Sequence, residues 1–181
     1  MQDVANRIAA TRQALRALPE GSPASDVEVL ETVAHLMRAH LSESGFGSYD
    51  VGELKLDASA LRPTREGYDV DTDASASDVV RTKIAYLEAV RAIGTTRGIH
   101  PGVLIFDEPR QQDIEEPDFS AILRYLARAS KETDGQVVVT SATAAAELER
   151  LLGEHFEDTH IVDFAARRVL QPLDHPDPLS V

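Results

Sequence analysis

From Gly102 onward the chain alternates in a regular way: the apolar run VLIF, the amphipathic stretch FSAILRYLARAS, the run QVVVT, the stretch TAAAELERLLG, and then THIVDF. Short apolar runs separated by helical stretches are what a parallel sheet needs. Each parallel strand requires a crossover long enough to return the chain, and the crossover helices cover the sheet. The pattern therefore predicts an α/β fold with a mainly parallel sheet flanked by helices.

The preceding half reads differently. A first helix is expected from about Asp3 to Leu18, with Val4, Ile8, Leu15 and Leu18 near one face. Pro19, Gly21 and Pro23 end it, and Ser25 or Asp26 can cap a second helix carrying Val27, Leu30, Val33, Met37 and Leu41. These positions suit the end of a coiled coil and an ordinary packed helix pair equally well. Gly45 and Gly47 mark a turn, after which VGELKL and GYDV read as two strands or a hairpin. A long helix is then expected from about Asp78 to Ile93, capped by Ser75, Ser77 or Asp78, with Val79, Ile84, Leu87, Val90 and Ala92 or Ile93 facing inward. The resulting organisation is a helical pair over residues 1–44, an α/β lobe over 45–171, and a tail over 172–181 marked by Pro172, Pro176 and Pro178.

Composition narrows the chemistry. The chain has 181 residues, enough for one domain with a proper core, and no cysteine, which removes disulfides, thiolate catalysis and Cys-ligated metals. Acids outnumber bases 31 to 18, a net charge of -13. A nucleic-acid surface must neutralise phosphates, so this acidic piece alone is a poor DNA binder, and DNA could be contacted only through other segments. No apolar run approaches the ~20 residues of a membrane span, and the start lacks the apolar core of a secretory signal. A cytoplasmic location with no membrane partner is expected.

The sharpest local pattern is GVLIFDEP, Gly102 to Pro109, in which an apolar strand ends in Asp107 and Glu108. Ligands of open parallel sheets gather beyond the carboxyl ends of the strands, so this strand delivers two acids to such a site. Phosphoryl transfer to water uses one acid at Mg²⁺ and a second group to orient or deprotonate the water. A solvated acidic turn explains the same residues without any chemistry. Upstream, DASASDVV places Ser75 and Ser77 at the start of a long helix, where free N–H groups and the helix dipole favour a phosphate, although plain N-capping accounts for any one such serine. The six histidines are read as solvated or capping residues, since His35 and His40 are five apart and share no helix face suited to a metal. The acidic run Asp113, Glu115, Glu116 and Asp118 is read as a helix start rather than a cation site. No G-x-S-x-G elbow and no dinucleotide-binding glycine fingerprint is present.

In this order, over roughly Tyr68 to Phe164, the segments resemble the C-terminal lobe of ABC ATPase heads of the SMC-like and double-strand-break-repair kind. The signature reads Ser75, Ala76, Ser77, Asp78, and the acidic strand is followed by Gln111 and Gln112. The resemblance implies ATP and Mg²⁺ as cofactors, with Asp107 serving the metal and Glu108 acting as the base or water-positioning residue. It implies that the signature residues meet the γ-phosphate of ATP bound on a facing head. It also makes Gln111, Gln112 and Asp113 the D-loop, and Ser141 the occupant of the switch position. The partners it implies are a second head and an N-terminal lobe bearing the Walker A loop, in the same or a separate polypeptide. The setting would be chromosome maintenance, DNA repair or phage defence.

The chain departs from that family in four places. Ala76 and Ser77 stand where the signature usually has glycines, Asp113 and Ile114 replace the usual Leu-Asp ending of the D-loop, and Ser141 replaces a histidine that could carry positive charge to the transition state. No G-x-x-x-x-G-K-[ST] occurs, so the chain by itself lacks a phosphate cradle and is expected to be inactive in isolation. The alternative expectation is a non-enzymatic interaction module built on a degenerate ATPase lobe.

Overall fold

The computed structural model describes residues 2–16, 24–112 and 114–163. Helix α1 (Gln2–Arg16) leaves Val4 and Ile8 exposed, and Leu18 lies outside the described residues. Helix α2 (Ala24–Glu43) is exposed through its first two turns and then buries Val33, Ala34, Met37, His40 and Leu41. The expected apolar positions are thus divided: Val27 faces solvent, while Met37 and Leu41 are core.

Where two strands were expected there are three. Strands β1 (Leu54–Asp57), β2 (Arg62–Arg65) and β3 (Tyr68–Asp69) form an antiparallel sheet in that order. The Val51–Glu53 part of the first expected strand is a 3₁₀ turn capped by Asp50. Strand β2 escaped notice because of Pro63, which cannot donate to a ladder. The register explains how it is tolerated: β3 pairs only with Thr64 and Arg65, so Pro63 lies beyond its reach.

Helix α3 (Ala76–Thr96) runs between two hydrophobic clusters. Ala85 and Ala89 let it approach α2 closely, against Val33, Met37, Leu41 and Leu54, while Ile84 joins the second cluster. Being covered on two sides changes its pattern. Leu87, expected to face inward, is 41% exposed, whereas Asp78, Arg81, Thr82, Glu88 and Arg91 are buried. A helix between two layers has a narrow solvent stripe, and hydropathy does not reveal where that stripe falls when the buried charges are paired.

The second cluster is built from β4 (Val103–Phe106), α4 (Glu116–Glu132), β5 (Gln136–Val139) and α5 (Ala145–Leu152). Helix α4 buries Phe119, Ile122, Leu123 and Leu126, the spacing of one helical face, each contributing roughly 1.5–3 kcal/mol by burial. Strands β4 and β5 pair in parallel across the α4 crossover, Val103 opposite Gln136 and Phe106 opposite Val139. The fold is therefore mixed α/β, and among the described residues the parallel sheet has two strands, short of the larger sheet expected. The THIVDF stretch forms no strand through Asp163, and Phe164, with the expected tail, lies outside the described residues. No helix among the described residues is long and apolar enough to cross a membrane.

Candidate functional site

The parallel pairing of β4 and β5 brings their carboxyl ends together, and one hydroxyl joins them. The Thr140 N–H donates to the Phe106 carbonyl at 2.9 Å, extending the ladder by one rung. The Thr140 hydroxyl then donates to Asp107 Oδ1 and accepts the Glu108 N–H at 3.0 Å. A hydroxyl has one proton to give and lone pairs to receive, so this single side chain holds both acidic residues at the sheet end. Asp107 is exposed and Glu108 half-buried. Glu108 also has a φ of +45°, a left-handed conformation that costs a non-glycine residue of order 1–3 kcal/mol and is found where surrounding contacts enforce it. The turn at the end of β4 thus holds Glu108 in a strained backbone conformation.

Beside it, Ser141 is half-buried, donating to Thr143 Oγ1 at 2.8 Å and accepting the Thr143 N–H at 3.1 Å. It stands at the end of β5, one residue past the hydroxyl that holds the acids. Beyond Glu108 the chain enters a 3₁₀ turn, Pro109–Gln112, which contains Gln111 and Gln112, while Asp113 lies outside the described residues. Arg110 secures this turn: its guanidinium lies over the Phe119 ring at 5.5 Å and 3.3 Å from Glu147.

The residues expected to act as a signature turn, Ser75 to Asp78, sit apart, at the N-terminus of α3. Ser75 is the N-cap, its hydroxyl accepting the Asp78 N–H at 3.2 Å and lying 3.1 Å from Ser77 Oγ. Ala76 and Ser75 are exposed and Ser77 is half-buried. Asp78 faces the interior, taking the Ser48 hydroxyl at 2.6 Å, the Ser48 N–H at 2.8 Å and the Gly47 N–H at 3.2 Å, and pairing with Arg81. Burial alone would raise its pKa, but the bonds from Ser48, Gly47 and Arg81 outweigh it and hold the carboxyl below the usual range. Asp78 is therefore committed to its own lobe, whereas Ser75, Ala76 and Ser77 form the accessible part of the turn. Among the described residues no hydrogen bond or ion pair joins them directly to Asp107 or Glu108; α3 packs against β4 and against the turn that follows it.

Sequence reasoning passed over Thr140, Ser48 and Arg81, and read Asp118 only as part of a helix start, whereas it also pairs with Arg81. Thr140 was legible as the last residue of QVVVT, and Arg81 as an i, i+3 partner for Asp78; Ser48 and Asp118 are joined to the site only by folding. His40 was misread. It is buried, stacked on Tyr125 with ring centroids 3.6 Å apart, and neither ring nitrogen has a partner. Burial, with Arg128 nearby, lowers its pKa to about 3, and burial pushes that of Tyr125 up to about 12. Of the acidic run, Glu115 is the N-cap of α4 and Glu116 and Asp118 lie in its first turn, as a helix start requires, while Asp113 lies outside the described residues.

Among the described residues no group of three or more His, Asp or Glu is placed to hold a metal ion. Asp107 is a single carboxylate at a sheet end, which fits Mg²⁺ only as one of several ligands, the others coming from water and phosphate oxygens. Comparison of the chain with protein-family models, curated proteins and solved structures finds no match.

Proposed function

We propose that the chain is the C-terminal lobe of an SMC-like ABC ATPase head, one half of a composite ATP site in a DNA-maintenance, repair or phage-defence assembly. The observation that carries this reading is the β4–β5 sheet. One face, Leu104, Phe106, Val137 and Val139, packs on the core, while the other shows Val103 at 42%, Ile105 at 69% and Val138 at 37% exposure. Parallel sheets are covered on both faces, so a two-stranded one with an open apolar face and acids at its carboxyl end reads as part of a larger sheet.

In this reading a second lobe supplies further strands and the phosphate-cradling loop that the chain lacks. Asp107 would hold Mg²⁺ through its water ligands, and the ion, when bound, supplies positive charge to the phosphates. Glu108, fixed by its strained backbone and the Thr140 hydroxyl, would orient or deprotonate the attacking water. Ser75 and Ser77 would meet the γ-phosphate held by a facing head. Ser141 can hydrogen-bond a phosphate or a water but brings no charge, so turnover is expected to be slow. Glu108→Gln in the ATPase assembly is expected to lower ATP turnover by roughly 10²–10⁴-fold while leaving ATP binding intact. Unchanged turnover would remove the assignment.

The second reading is a docking module that no longer works as an enzyme. The internal pairing of Ser141 with Thr143 favours it. Such a module would bind its partner equally well with Asp107→Ala and without Mg-ATP.

A further inference from the structure

Three segments of the chain meet around one buried ion pair, Arg81 with Asp78. Arg81, with its side chain 5% exposed, donates through one Nη to Asp78 and to Ser77 Oγ at 3.4 Å, and through the other to Asp118 in the first turn of α4. The far oxygen of Asp78 receives the turn before β1, from Gly47 and Ser48, and the Ser48 hydroxyl in turn accepts the Ser75 N–H at 3.0 Å. That turn is also pressed against Asp118. Gly45 has a φ of +76°, and a Cβ built on it would lie 2.1 Å from Asp118 Oδ1.

Buried ion pairs add little net stability over well-packed apolar groups, and their best-attested use is to fix registry. Here the registry is between two pieces of the candidate site. The Ser75–Asp78 turn is bonded to Arg81, and α4 begins where the loop following Glu108 ends. Arg110, over Phe119 in the same first turn of α4, ties that loop to the same place.

Resting on the composite-head reading above, we propose that Ser48, Arg81 and Asp118 are positioning residues that lock the signature turn to the start of α4. The hydroxyls of Ser75 and Ser77 then keep one placement relative to the loop that carries Glu108. Because coupling is reciprocal, loosening either end must loosen the other.

Hydrogen exchange on this chain tests the lock without any nucleotide. Ser48→Ala removes one hydroxyl from a half-buried turn. The Asp78 and Val79 amides are expected to exchange about tenfold faster, and the Phe119 and Ser120 amides to accelerate with them, while β4 and α5 keep their rates. Acceleration that stops at Val79 overturns the coupling. Asp118→Asn tests the reverse direction, with the Gly47, Ser48 and Asp78 amides expected to open; if protection is lost throughout in that variant, the Ser48→Ala result decides alone. In the ATPase assembly, Ser48→Ala is expected to lower kcat about tenfold with KM for ATP unchanged, because the lock orients groups for the reaction and does not bind the nucleotide base or P-loop phosphates. A raised KM with unchanged kcat rejects the positioning role. Exchange coupling together with full turnover in Glu108→Gln would keep the lock and discard the head reading.

Discussion

The two sides of α3 and α4 differ in how completely they are finished. On one side, buried charges are paired: Arg91 gives two bonds to Glu88, at 2.5 and 2.7 Å, and reaches Thr133 and the Ala129 carbonyl, while Arg81 holds Asp78 and Asp118, although Arg81 Nε and Arg91 Nη1 have no hydrogen-bond partner. On the other side, the β4–β5 sheet leaves three large apolar side chains in solvent. Burying charge is costly and is sustained only where partners are in place, and here each buried charge has its counter-charge within this chain. Exposed apolar residues in a contiguous sheet face signal a surface that still has something to bury. The acids of the candidate site lie at the end of the unfinished sheet, and this contrast is what the predictions below are meant to break.

The largest effect is expected where the finished side is opened. Arg91→Ala leaves Glu88 buried without its partner and should cost about 3–5 kcal/mol in urea unfolding, with Arg91→Met plus Glu88→Leu restoring much of the loss. Within β4, adjacent residues face opposite ways. Phe106→Ala should cost about 3–5 kcal/mol, whereas Ile105→Ser should stay within about 0.5 kcal/mol in this chain. An equal cost for the two would mean that the open face is covered after all.

The α2–α4 contact gives a pH test of the same completeness. His40 has a folded pKa of about 3 against an unfolded value near 6.5, so the unfolded chain binds a proton that the folded chain refuses. Its contribution is fully present above about pH 6.5 and is lost as pH falls toward 3, at up to about 1.4 kcal/mol per pH unit. His40→Phe, which keeps a ring against Tyr125, should flatten stability between pH 6 and 4 relative to the wild type. Smallest of the four, Ser75→Ala removes the α3 cap and should cost about 1 kcal/mol by thermal unfolding. A much smaller cost would mean that the Ser75 hydroxyl is not committed to capping and is held for a ligand.

What could be read along the chain was whatever depends on neighbours in sequence. The Ser75 cap, the amphipathic face of α4, the β4 run ending in Asp107 and Glu108, and the acidic start of α4 all follow from local periodicity and helix-end chemistry. The same local view predicted too large a parallel sheet, because an apolar stretch such as THIVDF becomes a strand only if another strand is there to pair with it.

Tertiary structure alone decided which charges are inside. Arg81 meets Asp118 across 37 positions, Ser48 meets Asp78 across 30, and Arg91 meets Thr133 across 42. A charged residue in a helix carries no local mark of whether it faces water or a partner from another element, so hydropathy placed Leu87 inside and left Arg91 unremarked. The positive φ at Glu108 and the Thr140 hydroxyl that spans both acids belong to the same class. The residue types that bear the chemistry were fixed by the chain itself, and their placement by contacts that exist only once β4, α4 and β5 have come together.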